Sequence, residues 1–203
     1  MRYVPLVATL LLYAIAGFWR PWLQYRRHGA SGFLLLRSGG LAQKVRDAGT
    51  VLVFTLLLAQ AGMTLGRTSP SLLVSPATST GLVLSAIGAA LMLAGLVLLV
   101  MGQLHLGASW RTGIEAGAKP GLVTDGLYRV CRNPIFLGLL VFVTGYALML
   151  PTILSLVLLV ALYVGIRQQI AAEEVYLTDT YGDTYRDYAR RVGRFLPGIG
   201  KLR

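Results

Sequence analysis

Charge is scarce in this chain. Only 13% of its 203 residues are Asp, Glu, Lys or Arg, and 55% are hydrophobic; an ordinary soluble domain carries about 25% charged residues. That balance excludes a soluble globular protein and predicts an integral membrane one. Cysteine is almost absent. Cys131 stands alone, so no internal disulfide forms and the fold does not depend on oxidation. It has no His, Cys or Asp at ligand spacing, so no metal site is expected. The chain also lacks a phosphate loop, a dinucleotide glycine fingerprint, a Ser/His/Asp set, an internal repeat and a low-complexity tract. The net charge of +11 does not point to nucleic acid, because the basic residues flank apolar runs instead of forming a soluble basic face. There they set orientation and meet anionic headgroups of the membrane lipids.

What the sequence does contain is long apolar runs. A spanning helix needs roughly 20 mostly apolar residues. Candidates are Tyr3–Trp19, Thr50–Leu65 and Gly81–Gly102, followed by a run from Ile135 to Ile166 interrupted at Leu150–Thr152. Pro151 breaks that run into a hairpin of two helices, Ile135–Leu150 and Thr152–Ile166. The expected fold class is therefore an all-α integral membrane protein of about five transmembrane helices with a cytoplasmic helical tail. It forms a single membrane domain over 1–203, with helices 1–3 in 1–102 and a loop, hairpin and tail in 103–203. The N-terminal run has no small-residue cleavage site and is followed by Trp19, Arg20 and Trp22, so it reads as a retained helix. Arg and Lys cluster after the first and third spans and in the tail, while the connection after the second span carries only Arg67. The positive-inside rule then puts the N-terminus outside and the C-terminus in the cytoplasm. From Arg167 to Val192 the tail reads as helical with a break at Gly182.

Four groups of residues could carry chemistry, and for each a structural reading stands beside the functional one. Glu173 and Glu174 sit just past the last span, with Arg167 seven residues earlier on the same helical face. They form either a site for a cation or a solvated helical turn. In "GLYRVCRNPIF", Pro134 drives Asn133 out of the helical region, and Arg129 and Arg132 offer anion contacts; the same residues also suit the charged start of a span. Trp110 and Arg111, between glycines, either close over a substrate or anchor at headgroups. His105 is a proton acceptor or an interfacial polar residue.

Taken together, two blocks resemble a known pattern. "GLYRVCRNPIFLG", a helical hairpin, then "AAEEVYLTDTYGDTYRDYARRVGRFLP" is similar to the C-terminal signature of the isoprenylcysteine carboxyl methyltransferase and phospholipid methyltransferase group. The residues that carry the match are Gly126, Tyr128, Arg129, Arg132, Asn133, Pro134, Phe136 and Gly138. In the tail they are Glu173, Glu174, Leu177, Tyr181, Gly182, Tyr185, Tyr188, Val192 and Arg194 to Pro197. The upstream "GASWRTGI" also resembles a segment of bacterial members. The resemblance covers roughly the last 100 residues.

It implies S-adenosylmethionine as cofactor and no metal. Tyr128, Arg129, Arg132, Asn133, Pro134, Ile135 and Phe136 would enclose the cofactor. Glu173 and Glu174 would lie by its methionine portion, with Arg167 orienting cofactor or substrate. Arg194, Phe195, Leu196 and Pro197 would close over adenosine. His105, Trp110 and Arg111 would meet a lipid or small lipophilic acceptor. The prenylcysteine enzymes carry His at Asn133 and Tyr at Phe136. Asn keeps a polar contact but takes up no proton near neutral pH, which leaves the acceptor open among carboxylate, thiol and amine. Two rival readings are an NADPH-dependent membrane reductase of the sterol reductase type, whose usual ending carries Trp and Cys where Tyr185, Tyr188 and Ala189 stand, and a non-enzymatic membrane scaffold. The oligomeric state is not legible. Small residues at Gly81, Ser85, Ala89, Ala90 and Gly95 permit close helix packing with some partner.

Overall fold

A computed structural model describes residues 2–37, 39–64, 81–112 and 121–202. The expectations that concerned Leu65, Arg67, Gly113 and Ile114 lie outside the described residues. Within them the protein is helical. No strand forms among the described residues, and the two isolated bridges join Phe33 to Thr112 and Cys131 to Gly193. The helices are α1 (Val4–Tyr13), α2 (Arg20–His28), α3 (Leu41–Met63), α4 (Leu82–Leu106), α5 (Pro134–Met149), α6 (Ile153–Tyr181) and α7 (Asp183–Arg191). Among the described residues, four helical segments are long and apolar enough to cross a bilayer: Val4–His28, Leu41–Met63, Leu82–Ser109 and Ile153–Tyr181. The apolar Pro134–Met149 is shorter. The chain is an integral membrane protein.

The boundaries differ from the sequence reading in three places. The first helix does not stop at Trp19. It passes through a π-helical turn, Ala14–Trp19, and continues as α2 to His28. Pro21 has no N–H for the carbonyl four residues back, and the wider turn, in which the Arg20 N–H reaches Ile15 O, carries the helix past it. The second helix starts at Leu41 instead of Thr50, because the polar residues that argued against it satisfy one another. Gln43 donates to Asp47 Oδ1 at 2.7 Å, and the Leu36 N–H donates to Asp47 Oδ2 at 2.8 Å. The last long helix runs unbroken beyond Ile166 to Tyr181 and ends at Gly182, whose φ of +54° suits glycine.

Glycines set the central packing. Gly88 and Gly95 of α4 lie against Gly145 and Gly138 of α5, and Gly102 meets Ile135. On each helix these positions recur every seven residues, so they line one seam. A Cβ at Gly95 would stand 2.6 Å from Gly138 O and from Phe142 N; one at Gly138 would stand 2.8 Å from Gly95 O. Of the small residues picked out from sequence, Gly95 lies against α5 of the same chain, whereas Gly81 and Ala90 are exposed. Inside lipid, where apolar burial drives little association, such close backbone contact is a main source of helix packing. At the other end of the bundle, Gln60 of α3 donates to Thr152 Oγ1 at 2.6 Å, and Tyr146 donates to Leu57 O at 2.7 Å. These bonds pin the α5–α6 hairpin to α3.

Gly95→Ala should destabilise the protein by about 1–3 kcal/mol, since the contacts it would violate are backbone and cannot yield. Gly49→Ala in α3, where a Cβ meets nothing within 4 Å, should be neutral or stabilising by up to about 1 kcal/mol. Thermal unfolding in detergent distinguishes the two. A Gly95→Ala protein with wild-type Tm would show that the seam is looser than described.

Candidate active site

The two sequence blocks meet in space. After the 3-10 turn Gly126–Arg129, the chain at Cys131 runs parallel to Gly193, and the Arg132 N–H donates to Gly193 O at 2.9 Å. Asn133 adds a bond from Nδ2 to Arg194 O at 3.0 Å. Tyr188 of α7 donates to Tyr128 O at 2.6 Å, and Tyr181 accepts from the Gly121 N–H at 3.1 Å. The tail therefore folds back beneath the α5 start and is fastened there by backbone and side chain alike.

Glu174 sits at the centre of this junction. Its Oε1 is 3.1 Å from Arg132 Nη1 and accepts from Arg194 Nε at 3.0 Å; its Oε2 accepts from Arg194 Nη2 at 2.6 Å. The Arg132 side chain is 2% exposed and that of Glu174 14%. Arg132 also donates to Tyr185 OH at 3.2 Å and to Gly200 O at 2.7 Å. One buried guanidinium thus joins α5, α6, α7 and the tail. The hydrogen bonds to Glu174 raise the Arg194 guanidinium further above its ordinary value. Burial pushes the Tyr185 and Tyr188 hydroxyls and the Cys131 thiol up, so these groups stay neutral at physiological pH.

Above the junction opens a cavity of about 480 Å³. Its polar end is walled by Tyr128, Arg132, Asn133, Glu173, Glu174 and Tyr185, and its apolar arm by Leu12, Phe54, Leu99, Leu139, Leu162 and Ile166. The π-helical turn contributes Ala16 and Gly17, small residues that leave room. Over the top cross two loops. Phe33 and Leu35 come from one and Trp110, Arg111 and Thr112 from the other, joined by the Thr112 N–H to Gly32 O at 2.9 Å.

Of the residues singled out from sequence, Tyr128, Arg132, Asn133, Ile135, Phe136, Glu173, Glu174, Trp110 and Arg111 line this cavity. Arg194 stands behind Glu174, and Pro134 is buried as the first residue of α5. Phe195 packs against the core, whereas Arg129, Leu196 and Pro197 are exposed and outside the wall. His105 is also outside. Its Nδ1 accepts from the Leu127 N–H at 3.2 Å and holds the Gly126–Arg129 turn. Arg167 is exposed and absent from the wall. The stripe of α6 facing the cavity is centred on Leu162, Ile166, Gln169, Glu173 and Leu177, with Gly165, Glu174 and Tyr176 at its margins. At about 100° per residue, Arg167 and Glu174 both lie on its flank. Only Glu174 is covered there, by Arg194.

Sequence reasoning missed Arg46, Asp47, Gln103 and Gln169, all on the wall. The available signal was polar residues within membrane helices, which mark function more often than packing. It went unused for Arg46 and Asp47 because α3 was started too late.

A family model described as phospholipid methyltransferase matches residues 76–184. The chain belongs to that family. It is similar to the Protein-S-isoprenylcysteine O-methyltransferase of Schizosaccharomyces pombe, 34% identical over 79 residues that make up 38% of this chain and 34% of that one. It is similar to Protein-S-isoprenylcysteine O-methyltransferase A of Arabidopsis thaliana, 30% identical over 115 residues, 52% of this chain and 58% of that one. Methanethiol S-methyltransferase 1 of Bradyrhizobium diazoefficiens is 34% identical over 94 residues, 46% of this chain and 32% of that one. The matches thus span less than two thirds of these relatives' length. The fold is similar to the solved structure of the eukaryotic intramembrane Ras methyltransferase isoprenylcysteine carboxyl methyltransferase, with a TM-score of 0.63, 18% identity, and 96% of this chain and 66% of that one covered.

Two outcomes follow for this junction. Glu174→Ala leaves the buried Arg132 without its carboxylate and should cost about 3–5 kcal/mol, with residues 193–202 becoming open to proteolysis first. The buried tyrosines set an alkaline limit. Their pKa is raised above the ordinary 10.0, so the folded state holds their protons more tightly than the unfolded chain. The stability this contributes is complete below about pH 10 and is lost as pH rises further. Tyr188→Phe should lower neutral-pH stability by about 1–2 kcal/mol through the lost bond to Tyr128 O and flatten the fall of Tm above pH 10. An unchanged alkaline slope would remove Tyr188 from this account.

Proposed function

We propose that this family member transfers the methyl group of S-adenosylmethionine to a lipophilic or small membrane-accessible acceptor, with the tail and the polar end of the cavity on the cytoplasmic side. The observation that carries the reading is the joining of the two family blocks around Glu174 at the polar end of a cavity whose other arm is apolar. The donor set fits the cofactor. Glu173 and Glu174 supply negative charge for its cationic portion, Arg132 and Asn133 supply donors for its carboxylate, and Tyr128, Tyr185 and Leu177 supply flat and apolar surface for the adenosine. When bound, S-adenosylmethionine provides a methyl group on a positively charged sulfur, ready for a nucleophile.

The chain's own residues do the rest. Glu174, clamped by two arginines, is held in a single position without a change of shape on binding, and such preorganisation lowers the cost of ordering. Methyl transfer needs the acceptor at near-attack distance and in line. The apolar arm between α1, α3 and α6 fixes the acceptor's chain, while Trp110 and Phe33 close the top against water. A carboxylate or thiolate acceptor needs little help from a base, whereas an ammonium must first lose a proton. Asn133 supplies no base, and the acids at hand are Glu173 and Glu174.

Calorimetry on detergent-purified protein should show S-adenosylmethionine binding and no NADPH binding. Glu174→Gln, which keeps the shape and removes the charge, should weaken S-adenosylmethionine by about tenfold or more. Labelled methyl should then pass from S-adenosylmethionine to an acceptor in membrane extracts. A protein that bound NADPH and ignored S-adenosylmethionine would end this reading.

A further inference from the structure

The three arginines of α2 part company. Arg26 and Arg27 are exposed, whereas Arg20 is 2% exposed. Lipid headgroups account for the first two and not for the third. Arg20 is the first residue after the π-helical turn and shares a helical face with Gln24. Its Nη1 donates to Gln24 Oε1 at 2.7 Å, and its Nη2 donates to Gln103 O at 3.1 Å and to Gly107 O at 2.9 Å. Gln24 Nε2 in turn donates to Ala108 O at 3.0 Å. These carbonyls lie at the C-terminal end of α4 and in the turn that follows it. That end of a helix carries partial negative charge, which suits a cation. No carboxylate lies within 4 Å of Arg20 among the described residues. The end of α4 is therefore what offsets its charge, and the guanidinium is tied to that end by three side-chain bonds.

The other neighbour of the cation is Trp110. Arg20 Cζ stands 4.5 Å from the centroid of the ring, within the range of cation–π attraction, which is stronger where water is excluded. Trp110 is 3% exposed and lines the cavity, while Arg20 is not part of the wall. Arg20 thus reaches the chamber only through Trp110. The loop after α2 bears on the same indole. A Cβ at Gly32, whose φ is +64°, would stand 2.7 Å from Trp110 O and 3.0 Å from the ring carbon Cε3. Beyond it the Leu34 N–H donates to Thr112 Oγ1 at 2.8 Å, and the Leu36 N–H donates to Asp47 Oδ2 at 2.8 Å. The two crossing loops are fastened to α2, α3 and α4, and to each other.

We propose that Arg20 is the positioning residue that fixes Trp110 as a permanent roof of the chamber, a wall and not a lid. This deepens the methyl-transfer reading and rests on it for the consequence that the roof stays shut through a turnover. The fixing of Trp110 does not depend on that reading. A roof tied in this way is shaped before any ligand arrives, so little order is lost on binding. It also keeps water away from the reacting groups without a closing motion.

The test uses full-length protein in a neutral maltoside detergent with Trp19→Phe and Trp22→Phe, which leave Trp110 as the sole tryptophan. Acrylamide quenching of its fluorescence reads the access of solvent to the roof, and Tm checks folding. In this reference protein quenching should be weak and should not change at saturating S-adenosylmethionine. Arg20→Met, which keeps the length and removes the charge, should raise the quenching constant by about threefold or more. Arg20→Lys, a point charge that cannot make the forked contacts, should fall between the two. S-adenosylmethionine affinity in Arg20→Met should stay within about twofold of the reference. The amount of membrane extract that gives half-maximal transfer of labelled methyl should rise by about fivefold or more. Unchanged quenching in a folded Arg20→Met protein would overturn the proposal, and so would raised quenching with unaltered transfer. A change of quenching when S-adenosylmethionine binds the reference protein would show a moving lid and overturn it as well; this arm needs no Arg20 variant to fold. Should the reference protein bind no S-adenosylmethionine, the methyl-transfer reading falls, and the quenching of Arg20→Met and Arg20→Lys still decides the role of Arg20.

Discussion

One carboxylate between two guanidiniums organises the functional half of this protein. Glu174 lies on the last long helix, Arg132 at the entry to the preceding one and Arg194 on the returning tail. Removing a charge this poorly exposed from water is unfavourable unless partners replace the lost solvation. The partners come from segments 42 and 20 residues away, so satisfying Glu174 requires the tail to return. The return in turn brings Gly193 beside Cys131, Tyr188 beneath Tyr128 and Tyr185 against Arg132. The polar end of the cavity is what this closure encloses.

A second set of contacts holds the bundle that carries the site. The α4–α5 glycine seam fixes those two helices at backbone distance, and the Gln60 and Tyr146 bonds fix the far end of the hairpin. Between them the cavity keeps its apolar arm, with the small Ala16 and Gly17 of the π-helical turn on its wall. Among the described residues, the buried polar groups of α3 and α6 find partners or meet the cavity. The run Asp47, Gln43, Arg46, Gln169, Glu173 links α3 to α6 by such partners.

Much of this was legible in the sequence, for identifiable reasons. Long apolar runs, Pro151 and Gly182 punctuated the helices, and the spacing of the two blocks identified the family. Glu174, Arg132 and Asn133 were found because block residues must meet if both are to serve one site. The length of α3 was not legible, since Gln43, Arg46 and Asp47 look like a loop until their mutual bonds are seen. The contrast between Arg167 and Glu174 was hidden as well. Both have the same heptad phase, and only the tail's path covers one and not the other. The partner of His105 was not legible, because its ring nitrogen accepts from the Leu127 N–H and no local pattern records a partner 22 residues away.

The glycine seam has a consequence for the shape of the chamber. Where two helices touch through backbone, neither can retreat without losing its neighbour, so the α4–α5 side of the chamber is unyielding. The opposite side is formed by α1, its widened turn and α3, which meet the rest through side chains of ordinary size. Gly17 there has open space where a side chain would go. The chamber therefore has one fixed jaw and one adjustable jaw, and the adjustable jaw lies outside residues 76–184 that the family model matches. A change of side-chain size is therefore accommodated on the α1–α3 jaw and resisted on the α4–α5 jaw.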